Sequence, residues 1–114
     1  MDLPDQTDNR RTADRRALRT SAHIELPGGQ YVEVYTVDIS TTGIAFIASA
    51  SPRIGTSFTL SFPVPEKPKG QILCEVRVKV VNSVFSSREG GFRIGVIFTN
   101  LDPIVATSIK QFIG

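Results

Sequence analysis

Apolar residues recur at every second position through the later half of this chain. Phe58, Leu60 and Phe62 follow this spacing, as do Ile72, Cys74, Val76, Val78 and Val80, and again Phe92, Ile94, Val96 and Phe98. Successive side chains of a strand point to opposite faces, so such runs build half-buried strands. A helix would need its apolar positions three or four residues apart. Earlier segments agree. Ala22, Ile24 and Leu26 alternate, Tyr31–Val37 is rich in β-branched and aromatic residues, and Ile44–Ala48 is a short apolar run.

The connections carry turn chemistry. Pro27-Gly28-Gly29-Gln30, Ser51–Gly55 and Ser86–Gly91 each break a run. Pro63–Gly70 holds three prolines and a glycine and is expected to be a loop. Val80-Val81-Asn82 disturbs the alternation, which predicts a bulge that shifts the face by one residue. At the end the period changes. Asp102 can cap a helix whose first position is Pro103, and Ile104, Val105, Ile109, Phe112 and Ile113 fall roughly on one stripe. About six strands joined by short turns predict a mainly β domain, an antiparallel barrel or sandwich with a short C-terminal α-helix packed on it.

A length of 114 residues supports one domain with one core, and 40% hydrophobic residues fit a globular protein. Residues 1–13 do not share this composition. They are polar and charged and cannot bury enough surface to offset their ordering entropy, which predicts a flexible basic N-terminal arm before a folded domain over residues 14–114. A short helical turn near residues 14–19 is left open. No apolar run approaches the ~20 residues of a membrane span. The start of the chain is polar and acidic, without an apolar leader core. Cys74 stands alone, so no intrachain disulfide forms. These features together predict a cytoplasmic setting. His23 has no Cys or His at ligand spacing, and no acid–base pair or activated nucleophile is evident, so the expectation is not an enzyme and no metal or cofactor.

Charge is concentrated rather than spread. Arg10, Arg11, Arg15, Arg16 and Arg19 lie within ten residues, with Asp14 the one acidic residue among them, while the net charge of the whole chain is +2. Arginine presents a planar fork that matches phosphate oxygens two at a time, matches the O6 and N7 edge of guanine, and stacks on bases. A solvated charged tail is the plain alternative. Further on comes Asp38-Ile39-Ser40-Thr41-Thr42-Gly43, a polar turn between two apolar runs. An ionised carboxylate only accepts, so Asp38 complements the donor edge of guanine. Ser40 can donate or accept, and Gly43 lets backbone or ligand come close. An ordinary self-satisfied turn is the plain alternative here. Taken together the two segments point to a receptor for a phosphate-bearing guanine nucleotide.

In order and spacing these segments resemble the PilZ domain family, bacterial receptors for cyclic di-GMP. Arg15 and Arg19 match its Arg-x-x-x-Arg arm. Asp38, Ser40 and Gly43 match its Asp/Asn-x-Ser-x-x-Gly turn. Phe92–Phe98 resembles the closing strand with its Gly-Val-x-Phe signature, and Asn100-Leu101-Asp102 the entry to the last helix. Thr42 departs from the glycine many members carry there, which implies a stiffer turn. The resemblance covers roughly residues 14–113. It implies a six-stranded antiparallel β-barrel with a C-terminal helix, and a cyclic di-GMP ligand, often an intercalated pair of molecules. It implies that Arg15 and Arg19 hold phosphate and guanine Hoogsteen edges, assisted by Arg16. Asp38 and Ser40 would bind a guanine and Gly43 would leave room for it. Ligand would order the arm against the barrel and alter a surface facing a downstream protein partner or a covalently linked effector domain.

Two alternatives stand beside this reading. A small barrel with a basic arm and exposed tyrosines could bind single-stranded nucleic acid. Against it, the phenylalanines sit at core spacing and the charge is confined to one arm. A module that kept the fold for protein interaction without ligand is the other. Retention of Arg15, Arg19, Asp38, Ser40 and Gly43 argues against that.

Overall fold

The computed structural model describes residues 14–114. The strands are β1 Arg16–Ala17, β2 Ser21–Glu25, β3 Tyr31–Ile39, β4 Gly43–Ala48, β5 Ser57–Pro65, β6 Gln71–Ser86 and β7 Gly91–Asn100, followed by helix α1 Pro103–Ile113. Antiparallel pairing runs β2–β3–β4–β7–β6–β5 and returns to β2. The result is a closed six-stranded barrel, with β1 outside it. Closure removes the unpaired edges that an open sheet would expose. The expected flexible arm, residues 1–13, lies outside the described residues. Residues 14–19, where a helical turn stood open, carry β1 instead. Arg16 pairs with Ile39 and Ala17 with Asp38, so β1 extends β2 along the same edge of β3.

The alternating residues meet inside. Phe46, Leu60, Phe62, Val78, Val80 and Ile94 are fully buried, as expected for a small barrel filled by its own side chains. The register of β6 against β7 shifts between Val80 and Asn82, where the alternation breaks. Two further shifts, between Thr36 and Asp38 of β3 and between Arg77 and Val78 of β6, had no such signature.

Three details differ from the sequence expectation. The loop expected over residues 63–70 begins later, because β5 runs through Pro63 and Pro65, which face Leu73 and Gln71. Glu66 N–H donates to Gly70 O (3.0 Å). Alternation then turns the nitrogens of residues 63 and 65 away from β6, to an edge that β2, paired only as far as Ser61, leaves free. Asp38 and Ile39 belong to β3 rather than to the turn, which is reduced to Ser40–Thr42. Ile104 leaves the apolar stripe of α1 and is 70% exposed, whereas Ile109 is buried in the core with Val105, Phe112 and Ile113 beside it.

Asp102 caps α1, its carboxylate accepting from Ile104 N–H (2.8 Å), with Pro103 opening the helix. The helix stoppers the barrel end where β3 and β5 finish. The other end is a shallow apolar mouth of about 250 Å³ among Ile24, Val32, Phe46, Ala48, Pro52 and Phe58.

Candidate functional site

The leader is fastened before any of its arginines acts. Leu18 is buried and its N–H donates to Val37 O (3.0 Å). Thr36, fully buried, donates its hydroxyl to Leu18 O and accepts from Thr20 N–H (3.0 Å). Thr36 N–H donates in turn to Thr20 O (2.8 Å). A buried polar side chain is tolerated when each of its groups is matched in this way. These bonds bridge the interruption between β1 and β2 and set where the neighbouring arginines emerge.

Strand alternation then separates the arginines. Residues directly across a pair share a face, so Ala17, Asp38, Ala45 and Gly95 form one row over β1, β3, β4 and β7. Three of the four are small, and Asp38 stands among them as the one carboxylate. Arg15 lies two residues before Ala17, and Arg93 two before Gly95, both on this face. Arg15 Nη1 donates to Asp38 Oδ1 (2.7 Å), and Arg93 Nη2 donates to Asp38 Oδ2 (3.0 Å). The carboxylate is thus held from two sides while 21% of its side chain stays accessible.

Arg16 points elsewhere. Its register partner is the buried Ile39, and its guanidinium lies 4.4 Å from the centre of the Phe112 ring and donates to Phe112 O. It lines a separate depression of about 400 Å³ with Glu66, Lys67 and Phe112. Arg19 returns toward the Asp38 side of the molecule, where its Nη2 is 3.6 Å from Glu89 Oε2 in the β6–β7 turn.

The corner after β3 is built by Ser40 and Gly43. Ser40 is 5% exposed, and its Oγ accepts from Thr42 N–H and Gly43 N–H (3.2 Å each). Ser40 N–H donates to Gly43 O (2.8 Å). Gly43 has no positive φ. A Cβ built there would lie 2.1 Å from Val96 O, so glycine is required by the close approach of β7. Thr42 O accepts from Phe98 N–H (2.9 Å), which ties the corner to β7 again. Between Asp14, Arg15, Ser40 and Thr42 opens a small cleft of about 140 Å³.

Of the residues expected from sequence, Arg15, Asp38 and Ser40 come together around this corner. Gly43 underlies it, Arg19 reaches toward the β6–β7 turn and Arg16 turns to the helix. Arg93 and Glu89 were missed. Each is an ordinary charged residue near a hairpin, and only the pairing of β7 with β4 brings that hairpin to Asp38. Among the described residues no cluster of His, Cys, Asp and Glu could hold a metal, and no helix is long and apolar enough to cross a membrane. Cys74 is buried within the barrel. Its desolvation, with a smaller contribution from the Glu66 charge, pushes the thiol up to about 11.

A closed barrel with a leader strand that lays arginines beside a half-open carboxylate defines the class. The chain belongs to the PilZ domain family, which matches residues 9–114. Its fold is similar to that of the Bacillus subtilis inhibitor of motility, MotI/DgrA, at TM-score 0.77 and 17% identity over 87% of this chain and 47% of that one. It is also similar to Escherichia coli YcgR in complex with c-di-GMP, at TM-score 0.67 and 16% identity over 87% of this chain and 42% of that one. The isolated PilZ domain of YcgR with c-di-GMP aligns at TM-score 0.63 and 14% identity, over 87% and 85% of the two chains. The chain thus spans less than half the length of the first two proteins. None of the curated proteins matches it.

Proposed function

We propose that this domain is a receptor for cyclic di-GMP that binds at the Asp38 corner. The observation that carries this reading is the Asp38 carboxylate, held by Arg15 at 2.7 Å within a row of small residues. A guanine presents donors at N1 and N2, which a carboxylate accepts. Ala17 and Ala45 are small enough to leave a low shelf beside Asp38 for a planar base, bounded by the Asn82 side chain that lies over Gly95. Arg15 and Arg19 supply the forks for phosphates and for the O6 and N7 edge. Family membership, and neighbours solved with c-di-GMP at 14–16% identity, support the same reading.

Roles within the site divide. Asp38, Arg15 and Arg19 touch ligand. Ser40 and Gly43 shape the corner and its cleft, Ser40 through the turn and Gly43 through strand approach. Arg16 contributes by fixing the leader to α1 through Phe112. The cleft of about 140 Å³ is well below the ~300–1,000 Å³ of pockets that enclose drug-sized ligands. It offers room for a base, and the leader with its arginines would have to cover the remainder. Closure of the leader over the ligand would alter a surface read by a downstream partner or a linked domain, with binding rather than catalysis as the output. A cytoplasmic setting suits such a receptor.

Calorimetry with cyclic di-GMP, cyclic di-AMP and GTP tests the reading. Saturable heat with cyclic di-GMP and much weaker binding of the other two is expected. No heat with cyclic di-GMP, beside oligonucleotide binding that falls steeply with salt, would replace it with the nucleic-acid reading.

A further inference from the structure

We propose that the β6–β7 hairpin is a third wall of the ligand site and acts on it through two residues of opposite effect. Arg93 positions Asp38 for the base, and Glu89 competes with ligand phosphate for Arg19. The inference rests on the cyclic di-GMP reading above.

Consider Arg93 first. Its Nη2 sits 3.0 Å from Asp38 Oδ2 and Arg15 Nη1 sits 2.7 Å from Oδ1, so each guanidinium takes one carboxylate oxygen. A carboxylate has about four acceptor sites, so an arriving guanine can bind while Arg93 stays in place. The two cations differ in their mounting. Arg15 precedes the two-residue β1, whereas Arg93 lies within β7 and is paired on one side with Ile47 and on the other with Val84. Arg15 is therefore the group free to move onto a ligand. Arg93 is the fixed clamp that keeps the carboxylate turned toward the shelf.

Glu89 does the opposite. Its Oε2 is 3.6 Å from Arg19 Nη2. A carboxylate and a phosphate are both anionic acceptors for a guanidinium, so Glu89 occupies the place a ligand phosphate would claim. Its position is set by the turn. Glu89 N–H donates to Ser86 Oγ (3.2 Å), Gly90 N–H donates to Ser86 O (2.9 Å), and Gly90 takes a φ of +79°. Ligand must break the Arg19–Glu89 contact and then place its own negative charge near Glu89. Both steps weaken binding. The same contact keeps Arg19 near the site when no ligand is there, so Glu89 sets the ligand concentration at which the receptor responds.

The experiment is a cyclic di-GMP titration of the full chain and its variants at low salt, with a thermal melt of each. Exposed ion pairs are worth ~0.2–1 kcal/mol, which converts to about 1.4- to five-fold in Kd. Glu89→Gln is expected to bind about 1.4- to five-fold more tightly, an advantage that shrinks as salt is raised and disappears when Arg19→Ala is present in both partners of the comparison. Arg93→Gln is expected to bind about 1.4- to five-fold more weakly, with Arg93→Lys between it and the wild type. A hairpin with a merely structural role would shift both variants the same way, in step with their melting temperatures. An unchanged or weaker Kd for Glu89→Gln, or an unchanged Kd for Arg93→Gln, overturns the proposal while a binding wild type keeps the receptor reading. A wild type that gives no heat overturns the receptor reading and this proposal with it.

Discussion

Arg15 Nη1 lies 2.7 Å from Asp38 Oδ1 although the two residues are 23 positions apart. The contact is made by the pairing of β1 with β3, which sets Ala17 opposite Asp38 and carries Arg15 on to the same face. Both side chains keep access to solvent, 45% for Arg15 and 21% for Asp38. Such a pair adds little to stability but leaves two complementary groups ready for a ligand that can satisfy both.

Asp38→Ala and Arg15→Ala are therefore expected to separate binding from folding. Each should weaken cyclic di-GMP binding by ~1–3 kcal/mol, the worth of one good base contact. Arg15→Ala should change stability by no more than about 1 kcal/mol, and Asp38→Ala, which removes the Arg93 pair as well, by no more than about 2 kcal/mol, because the pairs are partly exposed. Calorimetry beside urea denaturation of the same preparations checks this. A loss of binding matched by an equal loss of stability would place both residues in the framework instead.

Thr36→Val keeps the side-chain volume but removes the hydroxyl that joins Leu18 O to Thr20 N–H. Leaving buried groups unpaired costs ~1–3 kcal/mol, so the variant should be less stable by that amount. It should also lose ligand affinity, because the leader between Arg15 and Arg19 is no longer fastened. Hydrogen exchange resolves the two effects. The amides of Leu18 and Thr20 are expected to be protected in the free wild type and to exchange quickly in the variant, while the amides of β5 and β6 keep their protection.

Gly43→Ala is expected to destabilise the barrel, since its Cβ would lie 2.1 Å from Val96 O on the neighbouring backbone. Overpacking of this kind costs ~1–3 kcal/mol, which for a domain of this size lowers the melting temperature by roughly 5–20 °C. Gly28→Ala is the comparison. It has a φ of +94° but nothing within 4 Å, so only the backbone preference opposes it, at about 1 kcal/mol. A melting temperature for Gly43→Ala equal to that of the wild type would show that β4 and β7 can part at Gly43 without cost.

Much of the barrel was legible because it is written in nearest neighbours. Alternation around core positions such as Leu60, Val78 and Ile94 needs only a period of two, and Asp102-Pro103 carries its cap within two residues. The bulge at Val80–Asn82 was visible because it breaks a long run. What stayed hidden depends on partners far along the chain. Pro63 and Pro65 read as loop residues until the free edge beside β5 is known. Arg16 looks equivalent to Arg15 until β1 exists and sends them to opposite faces. Arg93 is 55 residues from Asp38, and no local pattern announces that pair.

Cys74 predicts a dependence on pH. Its thiol rises from an ordinary 9.0 to about 11 because the folded barrel disfavours the thiolate. Folding is thus favoured fully below about pH 9 by this group, and the contribution falls away as pH climbs toward 11. A shift of that size corresponds to at most about 2–3 kcal/mol. Urea midpoints measured from about pH 8 to about pH 11 should fall more steeply for the wild type than for Cys74→Ala, whose cavity lowers stability at every pH without titrating. Parallel curves for the two proteins would remove Cys74 as the cause. A thiol reagent at about pH 8 should leave the native protein unmodified, because the thiol is both buried and protonated there.

The buried Leu18 has a consequence for anyone who would move this recognition element elsewhere. A peptide copied from residues 15–19 carries the guanidinium groups but leaves behind the socket that receives Leu18 and the hydroxyl of Thr36 that grips its carbonyl. Transplanted to a foreign scaffold, the arginines would splay and lose their spacing. The portable unit is the leader together with the strand it leans on, so the acidic corner and its cationic cover travel as one piece or not at all.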